Sequence, residues 1–107
     1  TALNTGHEGG CGTVHANSAA DVPARLEALA ALGGMPRHAL HAQAAAAIDL
    51  LVHIIRLPDG RRWVHELRLL QWSETDALCR PVPAWTFPAA GDPVRHPGAD
   101  RLAEVLR

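Results

Sequence analysis

The 107-residue sequence has no lysine and no tyrosine, one phenylalanine, one methionine and two cysteines. Without lysine it cannot hold a phosphate loop of the GxxxxGK[ST] type, in which a Lys ammonium and backbone N–H groups grip the phosphates. Cys11 and Cys79 stand far apart and are too few for the dense disulfide framework of a small secreted domain, which points to a reducing compartment. No apolar run reaches the roughly 20 residues that cross a bilayer, and no charged-then-apolar leader opens the chain. An excess of charge is missing too: the formal net charge of -1 gives no electrostatic footprint for nucleic acid or an anionic membrane. These absences predict a cytosolic chain with no nucleic-acid partner and no direct membrane insertion. The chain starts at Thr1 rather than Met, which suits an excised or processed piece.

What is present is Ala, Arg, Gly and Pro in distinct zones. Gly6, Gly9, Gly10 and Gly12 surround His7 and Glu8, and the β-favouring run Thr13-Val14-His15 follows. This pattern predicts a flexible glycine turn and then a buried strand over Cys11 to Ala16. Ser18 three residues before Asp21 predicts a capping box opening a helix near Ala19. Val22, Leu26, Leu29 and Leu32 give that helix an apolar stripe, and Gly33-Gly34 ends it. Pro36 suits the first turn of a second helix whose face carries Leu40, Ala44, Ala47 and Ile48.

From Leu50 the period changes. Leu50 to Leu57 is almost wholly apolar, Trp63 to Leu70 alternates, and Leu57-Pro58-Asp59-Gly60-Arg61 between them has the order of a type I turn closed by a left-handed Gly. A β-hairpin is predicted, with His65 on the face of Trp63, Leu67 and Leu69. After Gln71, the prolines at 81, 83, 88, 93 and 97 argue against long regular elements, with a short helix over Asp100 to Leu106 closing the chain. One core burying roughly two-thirds of the unfolded surface is the expectation for this length.

Several residues carry a functional and a plainer reading. His38 and His41, one helical turn apart, could ligate a metal, but His38 falls off the apolar face and no third ligand is evident. Cys11 with His7 and His15 makes an equally poor metal set, so no metal site is expected. His53 and His65 on opposite strands read best as cross-strand packing. Trp72, Trp85 and Phe87 among prolines could dock a peptide, though covering the chain's own core is the simpler reading.

The run Leu3 to Ser18, LNTGHEGGCGTVHANS, is similar to the histidine box of the type II/IV secretion and Flp/Tad pilus-assembly ATPases, both GspE-like and CpaF-like. Thr5-Gly6-His7 and Thr13-Val14-His15-Ala16-Asn17-Ser18 carry the likeness. Further on, Arg25-Leu26-Glu27, Ala47-Ile48-Asp49-Leu50-Leu51-Val52, and Arg56 with Asp59-Gly60-Arg61-Arg62 resemble later motifs in the same order. Coverage is about Leu3 to Leu70.

The resemblance implies an α/β fold, the C-terminal part of a RecA-like P-loop ATPase domain. Residues 1–70 would be motor domain with its histidine box, and residues 71–107 a Pro-rich extension. It implies that His7 and His15 act catalytically, with Thr5, Gly6, Glu8, Thr13, Asn17 and Arg25 near the nucleotide or a subunit boundary. A histidine suits such a role because it donates hydrogen bonds and changes charge near neutral pH. In the parent protein the cofactors would be ATP and Mg2+, the assembly a hexameric homo-oligomer, and the partners platform proteins of the inner membrane reached from the cytoplasm. The phosphate loop and the acidic magnesium-binding strand would lie upstream, so this piece binds no cofactor and is inert alone. The competing reading is a nonenzymatic binding or regulatory module derived from the same fold. In either case a strand cut out of a larger sheet would leave exposed edges.

Overall fold

In the computed structural model, Thr13, Val14 and residues 16–106 can be described. A 3-10 turn, Ala19–Asp21, leads into helices α1, Val22–Leu32, and α2, Arg37–Ala47. Four strands follow, β1 (Leu50–Arg56), β2 (Arg62–Ser73), β3 (Leu78–Thr86) and β4 (Val94–Arg95), and helix α3, Ala99–Val105, comes last. The strands form one sheet in the order β1-β2-β3-β4, every pair antiparallel. The chain is therefore mixed α/β, and no parallel pair occurs among the described strands.

The helix ends follow from local chemistry. Gly34 takes a φ of 79°, and the N–H groups of Gly34 and Met35 donate to the carbonyls of Ala31 and Ala30 at 3.1 and 3.0 Å. These two bonds are the Schellman closure that a left-handed Gly permits. At the other end the expected capping box is absent: Ser18 Oγ donates to the Asp21 carboxylate at 3.1 Å and accepts no backbone N–H of the helix. Pro36 sits one residue earlier than expected, as the N-cap of α2 with an extended ψ of 152°. The apolar stripe on α1 holds only in its first half. Val22 is buried, whereas Leu29 is 44% and Leu32 87% exposed.

The hairpin forms as its turn chemistry requires. Gly60 N–H donates to Leu57 O at 2.8 Å, Leu57 N–H to Arg61 O at 2.8 Å, and Gly60 has a φ of 90°. The register shifts after His53, which pairs with Glu66, while Ile54 pairs with Val64, so His65 is an extra residue on β2. The bulge moves everything beyond it to the other face. Trp63 shares a face with Ile55, His53, Glu66, Leu51 and Arg68, and Leu67 and Leu69 lie on the opposite face with Val52 and Leu50. His65, Leu67 and Leu69 therefore do not line up with Trp63 in the way simple alternation predicts.

Each face has its own small core. On one, Leu70, Cys79 and Ala44 of α2 pack together with Ala45, Ile48 and Leu51 at their margin. On the other, Leu69 and Ala84 meet Leu102 of α3, flanked by Leu50, Leu67 and Trp85. Trp85, which flanks this core, also stacks on Phe87 with ring centroids 6.2 Å apart, whereas Trp72 is 40% exposed. The segment after Gln71 is more regular than its prolines suggest. β2 continues to Ser73, past the expected boundary after residue 70, and β3 accommodates both Pro81 and Pro83. It can do so because β4 pairs only with Trp85 and Thr86, leaving the outer edge of β3 at the prolines without a strand that needs their missing N–H. The Pro83 carbonyl on that edge accepts the N–H of Gly98 at 3.0 Å. A side chain at Gly98 would stand 2.6 Å from that oxygen, so only Gly lets α3 start so close to β3.

Candidate functional site

Of the residues singled out in the sequence, Thr5, Gly6, His7, Glu8 and His15 lie outside the described residues, as do Cys11 and Gly12 at the start of the expected strand from Cys11 to Ala16. Thr13, Val14 and Ala16 are described and are not in a strand. Thr13 and Asn17 are exposed, and Arg25 is exposed on α1 with no ion-pair partner among the described residues. The described residues show the point where the T-V-H-A-N-S run meets the sheet.

That point is Ala19, 1% exposed, whose N–H donates to Glu66 Oε1 at 3.2 Å. The bulge at His65 makes the contact possible. Without the extra residue, Glu66 would face the other side of the sheet. Glu66 is a carboxylate held 8% exposed, and its second oxygen accepts from Arg68 Nε at 3.0 Å. Arg68 Nη1 in turn donates to the Pro81 carbonyl at 3.0 Å, so one chain of bonds runs from Ala19 through β2 to β3. Burial by itself pushes the Glu66 carboxyl up; the hydrogen bonds from Arg68 and Ala19 and the charges of Arg68 and His53 outweigh it and hold the group below the usual carboxylate range. His53 Nδ1 lies 3.9 Å from Glu66 Oε1, and the His53 and His65 rings meet edge to face at 6.1 Å, as cross-strand packing requires. Among the described residues, the Nδ1 atoms of both are buried without a hydrogen-bond partner.

A second polar cluster ties the helices to the sheet. His41, 2% exposed, accepts the Cys79 N–H at Nδ1 over 3.0 Å, which leaves its proton on Nε2 to donate to Glu27 Oε1 at 2.6 Å. Cys79 Sγ lies 3.1 Å from the same Nδ1. Thiol, imidazole and carboxylate in that order resemble a nucleophilic triad, but the chemistry is wrong for one. The Nδ1 lone pair is already taken by a backbone N–H, Cys79 is 3% exposed, and burial raises its thiol above the ordinary value. The Glu27 carboxyl is held low, first by the Arg37 hydrogen bond at 2.6 Å and then by His41. The cluster fastens α1, α2 and β3 together. Sequence reasoning paired His41 with His38 and missed Glu27 and Cys79. The available signal was His41 lying three residues before Ala44, which the apolar spacing already places on the inner face of that helix. No group of three or more His, Cys, Asp or Glu side chains suited to a metal occurs among the described residues. None of the described helices is long and apolar enough to cross a membrane.

Comparison with known proteins decides what this framework belongs to. Residues 1–83 match the family model described as "Type II/IV secretion system protein". The chain belongs to that family. It is 59% identical over 73 residues to a putative conjugal transfer protein of Mycobacterium tuberculosis, found in strains CDC 1551 / Oshkosh and H37Rv, which covers 68% of this chain and 21% of the relative. It is 43% identical over 61 residues to the probable conjugal transfer protein TrbB of Sinorhizobium fredii, covering 57% of this chain and 18% of that protein. This type II/IV secretion family chain thus spans about a fifth of the length of the curated relatives it matches. The family match ends within β3, just before the residues that pair with β4 and precede α3.

Proposed function

We propose that the chain is the C-terminal portion of a RecA-like ATPase motor that powers type II/IV secretion or pilus assembly. The observation that carries this reading is the family match over residues 1–83, which takes in the whole TGH and T-V-H-A-N-S box. The relatives' designation as conjugal transfer proteins supports a transport role rather than metabolic chemistry. In the parent, ATP and Mg2+ are bound by upstream motifs that a chain without lysine cannot supply. Six copies form a ring on the cytoplasmic side of the inner membrane, attached through platform proteins. His15 senses or stabilises the terminal phosphate, and His7 passes that state across the subunit boundary.

The anchoring of Ala19 to Glu66 supports a mechanical role for the box. Any displacement of the T-V-H-A-N-S run pulls on a buried carboxylate, and through Arg68 on β3. The test is His7→Ala and His15→Ala in the full-length parent, with turnover and melting temperature measured on each. A drop in turnover of about ten- to a thousandfold with the fold intact is expected, the cost of losing one charge-stabilising donor. Near-normal turnover with a lowered melting temperature contradicts the assignment.

One observation favours a second reading, a self-contained binding or regulatory module. Helix α3 packs Leu102 onto Leu69 and Ala84 and so covers part of the second face of the sheet. A stable monomeric fold of the 107-residue chain, with two-state melting above about 70 °C, would favour the module over the motor piece.

A further inference from the structure

The turn that follows the T-V-H-A-N-S run closes on its own hydrogen bonds. Ser18 O accepts the Asp21 N–H at 3.2 Å, Ser18 Oγ donates to the Asp21 carboxylate at 3.1 Å, and Ala19 O accepts the Val22 N–H. The Ala19 N–H takes no part in that closure. It donates instead to Glu66 Oε1 at 3.2 Å, across 47 positions of sequence. His53 Nδ1 stands 3.9 Å from the same oxygen, beyond hydrogen-bond reach. Ala19 directly follows Ser18, the last residue of the run, so the carboxylate sets where the run meets the sheet.

The acceptor has to be a carboxylate. Two donors meet Glu66, the Ala19 N–H on Oε1 and Arg68 Nε on Oε2 at 3.0 Å. An ionised carboxylate accepts at both oxygens, whereas a glutamine offers one acceptor and one donor. Gln at this position would set its NH2 against either Arg68 or the Ala19 N–H. Arg68 is itself held by the bond from Nη1 to Pro81 O at 3.0 Å, so moving away from a donor costs it a second bond. A side chain locked by its neighbours in this way can hold another group in place for function.

We propose that Glu66 is a positioning residue for ATP turnover, a role that rests on the motor reading of the box. Clamped by Arg68, its carboxylate fixes the backbone at Ala19 and with it the placement of the box that carries His15. Glu66 itself touches no nucleotide, so its removal acts on the rate of reaction rather than on nucleotide binding. Misplacing a catalytic arrangement by about 1 Å costs up to about a hundredfold in rate.

The experiment is steady-state ATP turnover by the full-length parent, with a melting temperature for each variant so that rates refer to folded protein. Glu66→Gln should lower kcat about ten- to a hundredfold and leave KM for ATP within about twofold of wild type. Ala19→Pro breaks the same bond from the other side: it deletes the N–H and keeps the pair of Glu66 with Arg68. The backbone suits a proline there, because Ser18 is extended and position 19 opens a helical turn. The same fall in kcat is expected. Adding Arg68→Met to Glu66→Gln frees the glutamine carbonyl for Ala19 and should return kcat to within about threefold of wild type, a coupling that independent sites would not show. Backbone hydrogen exchange across residues 16–22 should quicken in both single variants and slow again in the double one. Normal turnover per folded molecule in either single variant overturns the proposal, however much stability is lost. A rise in KM with kcat unchanged, or a double variant as slow as Glu66→Gln alone, overturns it as well. His15→Ala, run alongside, separates this failure from that of the motor reading. Normal turnover in His15→Ala sinks the box assignment and this proposal together; slow turnover there with normal Glu66→Gln sinks this proposal alone.

Discussion

Glu66→Ala should be among the most damaging single changes in the sheet, and its size can be worked from the contacts. The wild-type carboxylate receives the Ala19 N–H at 3.2 Å and Arg68 Nε at 3.0 Å, with its own side chain 11% and that of Arg68 22% exposed. Removing it strands a buried N–H and a mostly buried guanidinium. Breaking a buried pair by deleting one partner costs about 3–5 kcal/mol. The water that reaches Arg68 favours the lower end, about 3 kcal/mol. A domain of this length is stable by only about 5–15 kcal/mol, so the loss is a large share of the total. With a urea slope of about 1–2 kcal/mol/M, the midpoint should fall by at least about 1.5 M. The sign of the pH dependence is a second signature. Because the folded-state carboxyl titrates below its ordinary value of 4.5, its contribution is complete above that pH and is lost as pH falls through the lower folded value. Wild-type stability should therefore drop across that acid window, and Glu66→Ala should remove part of the drop. Urea melts from pH 7 down to pH 3 measure both. A midpoint within about 0.3 M of wild type at pH 7, a difference of no more than about 0.6 kcal/mol, or an unchanged acid limb in the variant would refute the reasoning.

Two further changes probe the rest of the frame. Leu102→Ala removes the 3% exposed side chain that joins α3 to Leu69 and Ala84, and should cost about 2–4 kcal/mol by chemical denaturation; an unchanged midpoint would mean that residues 71–107 are a dispensable extension. Cys79, assayed in a Cys11→Ser background, should react with an aromatic disulfide reagent only as fast as the chain opens, because its thiol is buried and raised; rapid reaction with the folded chain would restore a nucleophilic reading of the His41 cluster.

Legibility in the sequence tracked how local the determining chemistry was. The Leu57-Pro58-Asp59-Gly60-Arg61 turn and the Gly33-Gly34 stop act within a few residues, and both formed as read. The bulge was not readable. A single inserted residue, His65, leaves no compositional mark, yet it reverses the facing of Leu67 and Leu69 and turns Glu66 toward Ala19. β3 was missed because Pro81 and Pro83 are excluded only from strands paired on both sides, and pairing is a property of the assembled sheet. Leu29 and Leu32 keep the helical spacing of a buried stripe, but the fold leaves them 44% and 87% exposed. The polar contacts of the site span 47 residues from Ala19 to Glu66 and 38 from His41 to Cys79, beyond the reach of any spacing rule. The family itself was legible, because its motifs are short, ordered and carried by residue identity rather than by packing.

The proposed reading makes this chain motor framework carrying a histidine box, with the phosphate-binding parts supplied by the parent's upstream residues. Titration calorimetry with Mg-ATP tests it most directly, run on the 107-residue chain and on the full-length parent. The account predicts no measurable heat of binding for the chain and one site per subunit for the parent. Binding to the chain alone at one site with micromolar affinity, a free energy of about 8 kcal/mol, would contradict it.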